Sequence, residues 1–157
     1  MKAIILTTIK IERLKECLDK KVFGLSEKLL TKLGHKILEL ENKDLLYIKM
    51  KSAKSFIIGP FQITKNKPKI NIIKNRGVWF KVSKEHIYSG LPWWIIEGFN
   101  WLIFFKYDSR RVKAITEENL KNENILIKDY GIIDGNTEKK LQRFLIRYGI
   151  ALERLLK

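Results

Sequence analysis

The chain has 157 residues, enough for a single domain over 1–157 that buries roughly 68–70% of the surface its unfolded form exposes. A composition 45% apolar and 31% charged excludes a disordered chain, and 32 Lys+Arg against 17 Asp+Glu give a formal charge of +15 that makes a polyanion the expected partner. The same excess also serves solubility or the Lys-rich habit of a thermophile, so charge alone names no function. The single cysteine, Cys17, excludes an internal disulfide and a cysteine-based structural zinc site. It shares a helical stripe with Ile11, Leu14 and Leu18, the pattern of a buried, inert thiol.

Ala3 to Thr8 is a short β-branched run that reads as a buried strand. Its apolar length is too small for a signal peptide. Lys10 to Lys20 follows helical spacing, with Leu14 and Leu18 inward and Lys10, Glu12, Arg13, Lys15 and Glu16 mostly on the wet side. Phe23-Gly24 then forms an aromatic–glycine pivot, either a packing device or one wall of a pocket for a flat ligand. Ser26 is a good N-cap for a second helix with Leu29, Leu30 and Leu33 inside and Gly34 as its stop. From Asp44 the period falls to two. Leu46, Ile48 and Met50 alternate with Tyr47, Lys49 and Lys51, as in a half-buried strand. Ser55 to Thr64 returns, and Gly59-Pro60 inside it predicts a bulge or an edge position.

The order of these parts resembles the PUA-like superfamily, nearest its EVE, YTH and DCD branches. The residues that carry the resemblance are Lys15-Glu16-Cys17-Leu18 with Val22-Phe23-Gly24-Leu25-Ser26-Glu27, and Asp44-Leu45-Leu46-Tyr47-Ile48 with Ile57-Ile58-Gly59-Pro60-Phe61. The likeness is good over roughly 1–84 and looser beyond. It implies an α+β fold: a small, mostly antiparallel PUA-like β-barrel of 5–6 strands flanked by helices, with a C-terminal helix.

Lys65 to Glu85 is the most basic stretch of the chain. Lys65, Lys67, Lys69, Lys74, Arg76 and Lys81 are candidate phosphate ligands, each contact adding to the salt dependence of binding. The alternative is a solvated basic loop with no partner. Gly77 to Val82 reads as a strand with Val78, Phe80 and Val82 on one face. Trp79 falls on the other, beside the cations, where an indole stacks on a base or covers a helix. Trp93, Trp94, Phe99 and Trp101 crowd nine positions, a density typical of a core or an interface. The greasy run from Leu91 to Phe105 is broken by Glu97 and Asn100, too short to cross a bilayer. It also lacks the basic-opposite-apolar face of an interfacial helix. A cytoplasmic protein without a membrane role is the expectation. Trp101 to Tyr107 is a further strand, Asp108 to Arg111 its turn and Val112 to Thr116 the return. Thr116 to Asn124 is a loop or short helix, and Ile125 to Lys128 a last strand. Asn136 or Thr137 caps a final helix striped by Leu141, Phe144, Leu145, Tyr148, Leu152 and Leu155, with Gly149 ending or bending it.

Nucleotide-binding glycine loops, nucleophile elbows and zinc-protease motifs do not occur. His35 and His86 stand on different elements, and no nucleophile has an evident activating base. The expected class is therefore a binding module, not an enzyme, with no cofactor and no metal. The resemblance implies a nucleic-acid-binding module that holds a base, modified or not, in an aromatic pocket. The partner is DNA or RNA with or without a methylated base, and related modules form the DNA-reading end of archaeal McrBC-type restriction assemblies. Phe23 stands at the first pocket wall with Ser26 just beyond it. The stretch from Lys65 to Arg76 offers no second aromatic, so Trp79, Trp93 or Trp94 would supply it, Trp79 and Trp94 ahead of Trp93. The competing expectation is a DCD-like protein-interaction module that uses the cluster from Trp93 to Trp101.

Overall fold

The protein is described here by a computed structural model, which covers residues 1–67, 72–83, 91 and 93–157. Lys69 and His86 lie outside the described residues. The elements run β1 (Ala3–Thr8), α1 (Ile11–Lys20), β2 (Val22–Leu25), α2 (Glu27–Leu33), α3 (His35–Leu38), β3 (Leu45–Met50), β4 (Phe56–Thr64), β5 (Ile72–Arg76) and β6 (Trp79–Val82). There follow α4 (Trp93–Gly98), β7 (Trp101–Lys106), β8 (Lys113–Thr116), α5 (Glu117–Asn122), β9 (Gly131–Ile133), α6 (Gly135–Tyr148), β10 (Ile150–Ala151) and α7 (Leu152–Leu156).

The described strands form one connected mixed sheet with the path β5-β6-β7-β4-β3-β1-β9, to which β2 adds on β7, β8 on β4, and β10 on β8. That is ten strands, more than the five or six expected, because β2, β5, β9 and β10 are too short or too polar to register as periodic runs. The sheet is not wholly antiparallel either: β1 and β3 run parallel, joined by the crossover through α1, β2, α2 and α3.

Two cores flank this sheet. Ile4 and Leu6 of β1 and Leu46, Ile48 and Met50 of β3 face the larger one, with Leu14, Cys17 and Leu18 of α1. Ala3 and Ile5 of β1 and Tyr47 of β3 face the second, which Leu120 of α5, Ile125, Ile127 and Leu141 and Leu145 of α6 complete. A strand buried on both faces reads as a continuous apolar run, which is why β1 does. β3 was expected to be half-buried, yet Tyr47 is fully buried and donates its hydroxyl proton to Glu138 Oε1 at 2.8 Å. Lys49 is 1% exposed, its ammonium held by Glu117 Oε2 at 2.6 Å, the Ile127 carbonyl at 2.7 Å and Asp129 Oδ1 at 3.0 Å. Polar residues at alternate positions here mark a second buried face, not a wet one.

The β3–β4 register shifts between Leu46 and Ile48, opposite Gly59-Pro60, the bulge that this dipeptide predicts. Gly59 is needed there because a Cβ would come within 2.5 Å of the Tyr47 ring. Three expectations are corrected toward the C-terminus. The strand ahead of α6 is β9, which pairs with β1, and not Ile125 to Lys128, whose Ile125 and Ile127 instead plug the second core. Asp134, not Asn136 or Thr137, caps α6, accepting from the Thr137 amide at 2.9 Å and the Thr137 hydroxyl at 2.7 Å. Gly149 ends α6, so Tyr148 is largely exposed and Leu152 and Leu155 belong to a separate helix.

Candidate functional site

Phe23-Gly24 is not a turn but the middle of β2, whose four residues are all buried. Among the described strands β2 pairs with β7 alone, Phe23 opposite Ile103 and Leu25 opposite Trp101. The Phe105 amide donates to the Lys21 carbonyl at 3.1 Å, which fixes the alternation: residues 21, 23 and 25 turn their peptide groups toward β7. Gly24 therefore turns its N–H and C=O toward the free edge of the strand. Gly24 must be glycine for space, since a Cβ would stand 2.6 Å from the Phe99 carbonyl oxygen and 2.9 Å from Phe99 Cβ. The missing side chain lets the segment after α4 close over β2.

At this free edge lies a cavity of about 160 Å³. Thr7, Thr8 and Ile9 from the end of β1 line it, with Arg13 and Cys17 from α1, Phe23, Gly24 and Leu25 from β2, Trp94 and Phe99 from α4 and beyond, and Tyr130 ahead of β9. Four aromatic rings thus border one opening. Trp94 and Phe99 meet edge to face, centroids 5.9 Å apart at 78°. The Arg13 guanidinium lies 4.9 Å from the Trp94 centroid and 5.7 Å from that of Phe99, while the Trp94 indole N–H donates to Glu16 Oε2 at 2.6 Å. Two residues one helical turn apart on α1 thereby hold the indole plane from its face and its edge. Arg13 is the one charged side chain on the cavity wall among the described residues.

The Tyr130 side of the opening is anchored by hydrogen bonds. Tyr130 donates its hydroxyl proton to the Thr7 carbonyl at 3.1 Å, and the Thr7 hydroxyl donates to the Asp129 carbonyl. Burial raises the Tyr130 phenol, so it stays protonated and donating. Asp129 bonds Lys51 at 2.5 Å and Lys49 at 3.0 Å, and the hydrogen bond from Lys51, helped by Lys49, holds its carboxyl below the usual carboxylate range. Cys17 lines the cavity floor with its thiol pushed up to about 12 by burial, then by the nearby Glu16 carboxylate. It is a wall atom and not a nucleophile.

No protein-family model matches the chain. No curated protein sequence matches it. Among solved structures it is similar to the crystal structure of the Pho92 YTH domain in complex with m6A, with a TM-score of 0.59, 8% sequence identity, and coverage of 97% of this chain and 89% of that one. The fold is YTH-like. At 8% identity the likeness is one of architecture, and it reaches the YTH branch among the branches that the sequence resembles.

On this YTH-like sheet the residues singled out from sequence separate. Phe23 and Trp94 come together at the cavity, although Phe23 is only 5% exposed and shows the opening a small part of its ring. Trp79 does not join them. It is fully buried and donates its indole N–H to the Ile37 carbonyl at 2.9 Å, because α3 covers the face that the alternation left open. Ser26 is the N-cap of α2, accepting from the Leu29 amide at 3.2 Å, and does not line the aromatic cavity. Of the aromatic cluster, Trp101 is 2% exposed and Trp94 and Phe99 border the cavity, so these three turn inward and form no exposed apolar patch.

Lys65, Lys67, Lys74 and Arg76 are exposed and Lys81 is half-buried, but none lines the aromatic cavity. Lys74 and Arg76 sit on β5, an edge strand inside the stretch read as a loop. Lys81 reaches Glu27 at 3.3 Å. Sequence reasoning missed Thr7, Arg13, Phe99 and Tyr130. For Arg13 a signal existed: it stands one turn before Glu16 on the helix that leads into Phe23. No His/Cys/Asp/Glu group suited to a metal occurs among the described residues, and none of the helices described is long and apolar enough to cross a membrane.

Proposed function

We propose that this protein is a nucleic-acid-binding module that takes one unpaired base into the cavity at the free edge of β2. The observation that carries the reading is the convergence of Phe23, Trp94, Phe99 and Tyr130 around one opening with the cation Arg13 on its wall. A cavity of about 160 Å³ is on the order of the ~150 Å³ that accepts a benzene-sized ring, so a base enters ring first and keeps its sugar outside. Stacking is worth about 1–3 kcal/mol per base and offsets the few kcal/mol needed to extract one. A methyl group on the base adds apolar surface to an aromatic wall. The neighbour in fold is a YTH domain in complex with m6A, which favours a methylated base as ligand. Lys65, Lys67, Lys69, Lys74, Arg76 and Lys81 then act as phosphate contacts on the flanking strand, and the net charge of +15 draws the polyanion in. Binding, not catalysis, is the proposed activity.

The test is a titration with single-stranded DNA and RNA, each with and without a methylated base, across a salt series. Affinity that falls with salt and rises with methylation supports the reading, and the better of the two strands identifies the substrate. Trp94→Ala should remove the preference for the methylated strand. Lys65→Ala or Lys67→Ala should lower all ligands alike and reduce the salt slope by about one unit. No binding to any strand at low salt would overturn the proposal.

A further inference from the structure

A second cavity, of about 260 Å³, lies between α2 and α3 on one side and the end of β5 and the start of β7 on the other. Thr31, His35, Arg76 and Trp101 supply its donors, and Glu27 is the one acid on its wall among the described residues. Glu27 is already held by Lys81 at 3.3 Å. Trp101 is 2% exposed, and its indole N–H finds no acceptor among the described residues. A buried donor without a partner is rare in a folded protein and calls for a ligand or a water. The Arg76 guanidinium stands 5.9 Å from the Trp101 centroid and the Lys81 ammonium 5.8 Å. With cations over the ring, Trp101 is not a free platform for a base. What the Trp101 N–H lacks is an acceptor, and an anionic one suits the cations beside it.

The two cavities are neighbours. Directly opposed residues of antiparallel strands share a sheet face, so Leu25, Trp101 and Lys81 lie on one face with Lys74 opposite Lys81. Leu25 lines the aromatic cavity and Glu27 the second one, two residues that span at most about 7 Å.

We propose that the Trp101 cavity is a phosphate subsite, filled by a backbone phosphate of the strand whose base enters the aromatic cavity; that last assignment rests on the function proposed above. Arg76 supplies the charge, Trp101 the buried N–H, and Thr31 and His35 the rim.

The indole N–H resonances of the four tryptophans test it, with Trp101→Phe and Trp94→Phe assigning two of them. The probes are inorganic phosphate, an abasic single strand, and a base-bearing strand of the same length. The Trp101 signal should move with the abasic and base-bearing strands. Arg76→Gln, an exposed change, should abolish that movement and weaken strand binding on the order of tenfold, the loss of one charge-assisted hydrogen bond, with the melting temperature unchanged. A Trp101 signal that stays still when either strand saturates the protein, or that moves equally in Arg76→Gln, overturns the subsite. If Trp94 alone responds, and only to the base-bearing strand, the base reading stands and the subsite fails. If Trp101 responds to inorganic phosphate and the abasic strand while Trp94 responds to nothing, the phosphate site stands without the base reading. A response to inorganic phosphate but to no strand overturns the backbone assignment in favour of a free phosphate ligand.

Discussion

Arg13 and Trp94 stack at the edge of the aromatic cavity, guanidinium carbon 4.9 Å from the ring centroid, while Glu16 accepts the indole proton at 2.6 Å. This clamp fixes a half-buried ring that would otherwise turn freely. Arg13→Ala removes a cation–π contact worth about 0.5–2 kcal/mol and the one charge on the cavity wall among the described residues. The expected result is weaker base-dependent binding, measured by anisotropy, with a thermal midpoint close to wild type. Arg13→Lys should restore little, because an ammonium does not stack as a planar guanidinium does.

Gly24→Ala drives a methyl into the Phe99 carbonyl at 2.6 Å. The segment after α4 must lift from β2, and overpacking of this kind costs about 1–3 kcal/mol. Urea midpoints should report that loss, and the edge-to-face contact of Trp94 with Phe99 should loosen with it. Gly98→Ala is the control, since no atom lies within 4 Å of its virtual Cβ.

Lys49 is a costly side chain to remove. Lys49→Ala leaves Glu117 and the Ile127 carbonyl without the ammonium they share, and breaking a buried pair costs roughly 3–5 kcal/mol. Chemical denaturation should show it, and Lys49→Arg should not rescue, because the larger fork does not fit a site closed to 1% exposure.

Acid should act through Asp129. Its carboxyl is held below its ordinary value by Lys51 and Lys49, so its contribution is complete above the unfolded carboxylate pKa near ~4 and is lost as pH falls through the lower folded value. Melting temperatures read from pH 5 downward should decline below about pH 4, and Asp129→Asn should flatten part of that decline.

Cys17 should resist thiol reagents at pH 8 in the native protein and react at once in urea, since its thiol is raised to about 12. Rapid native labelling would mean that the cavity floor is open to solvent.

Local signals in the sequence carried far. The helix from Ile11, the Ser26 cap, the Gly34 stop and the bulge at Gly59-Pro60 each rest on chemistry within a few residues, and each is present. Apart from the α6 cap, which Asp134 makes two positions ahead of Asn136, the failures are non-local. Trp79 and Lys49 read as outward-facing because alternation assumes one wet face, and α3 and α5 cover those faces from distant points in the chain. Phe23 beside Gly24 was legible as a pocket wall or a packing ring, and it is both. Arg13 looked solvated because the indole it covers arrives some eighty positions later, and Tyr130 reaches Thr7 only through the β1–β9 pairing.

The aromatic cavity draws its walls from five stretches, the first and last of which, Thr7 and Tyr130, are 123 residues apart. Such a cavity exists only once β1 and β2 are joined through β3, β4 and β7, and it disappears with any opening that parts them. Occupancy of the cavity is therefore a reporter of folding across the middle of the sheet. A ligand that binds there stabilises the whole chain by mass action, about 2.7 kcal/mol at a hundredfold excess over its dissociation constant, so a rise in melting temperature identifies ligands without any knowledge of what they are.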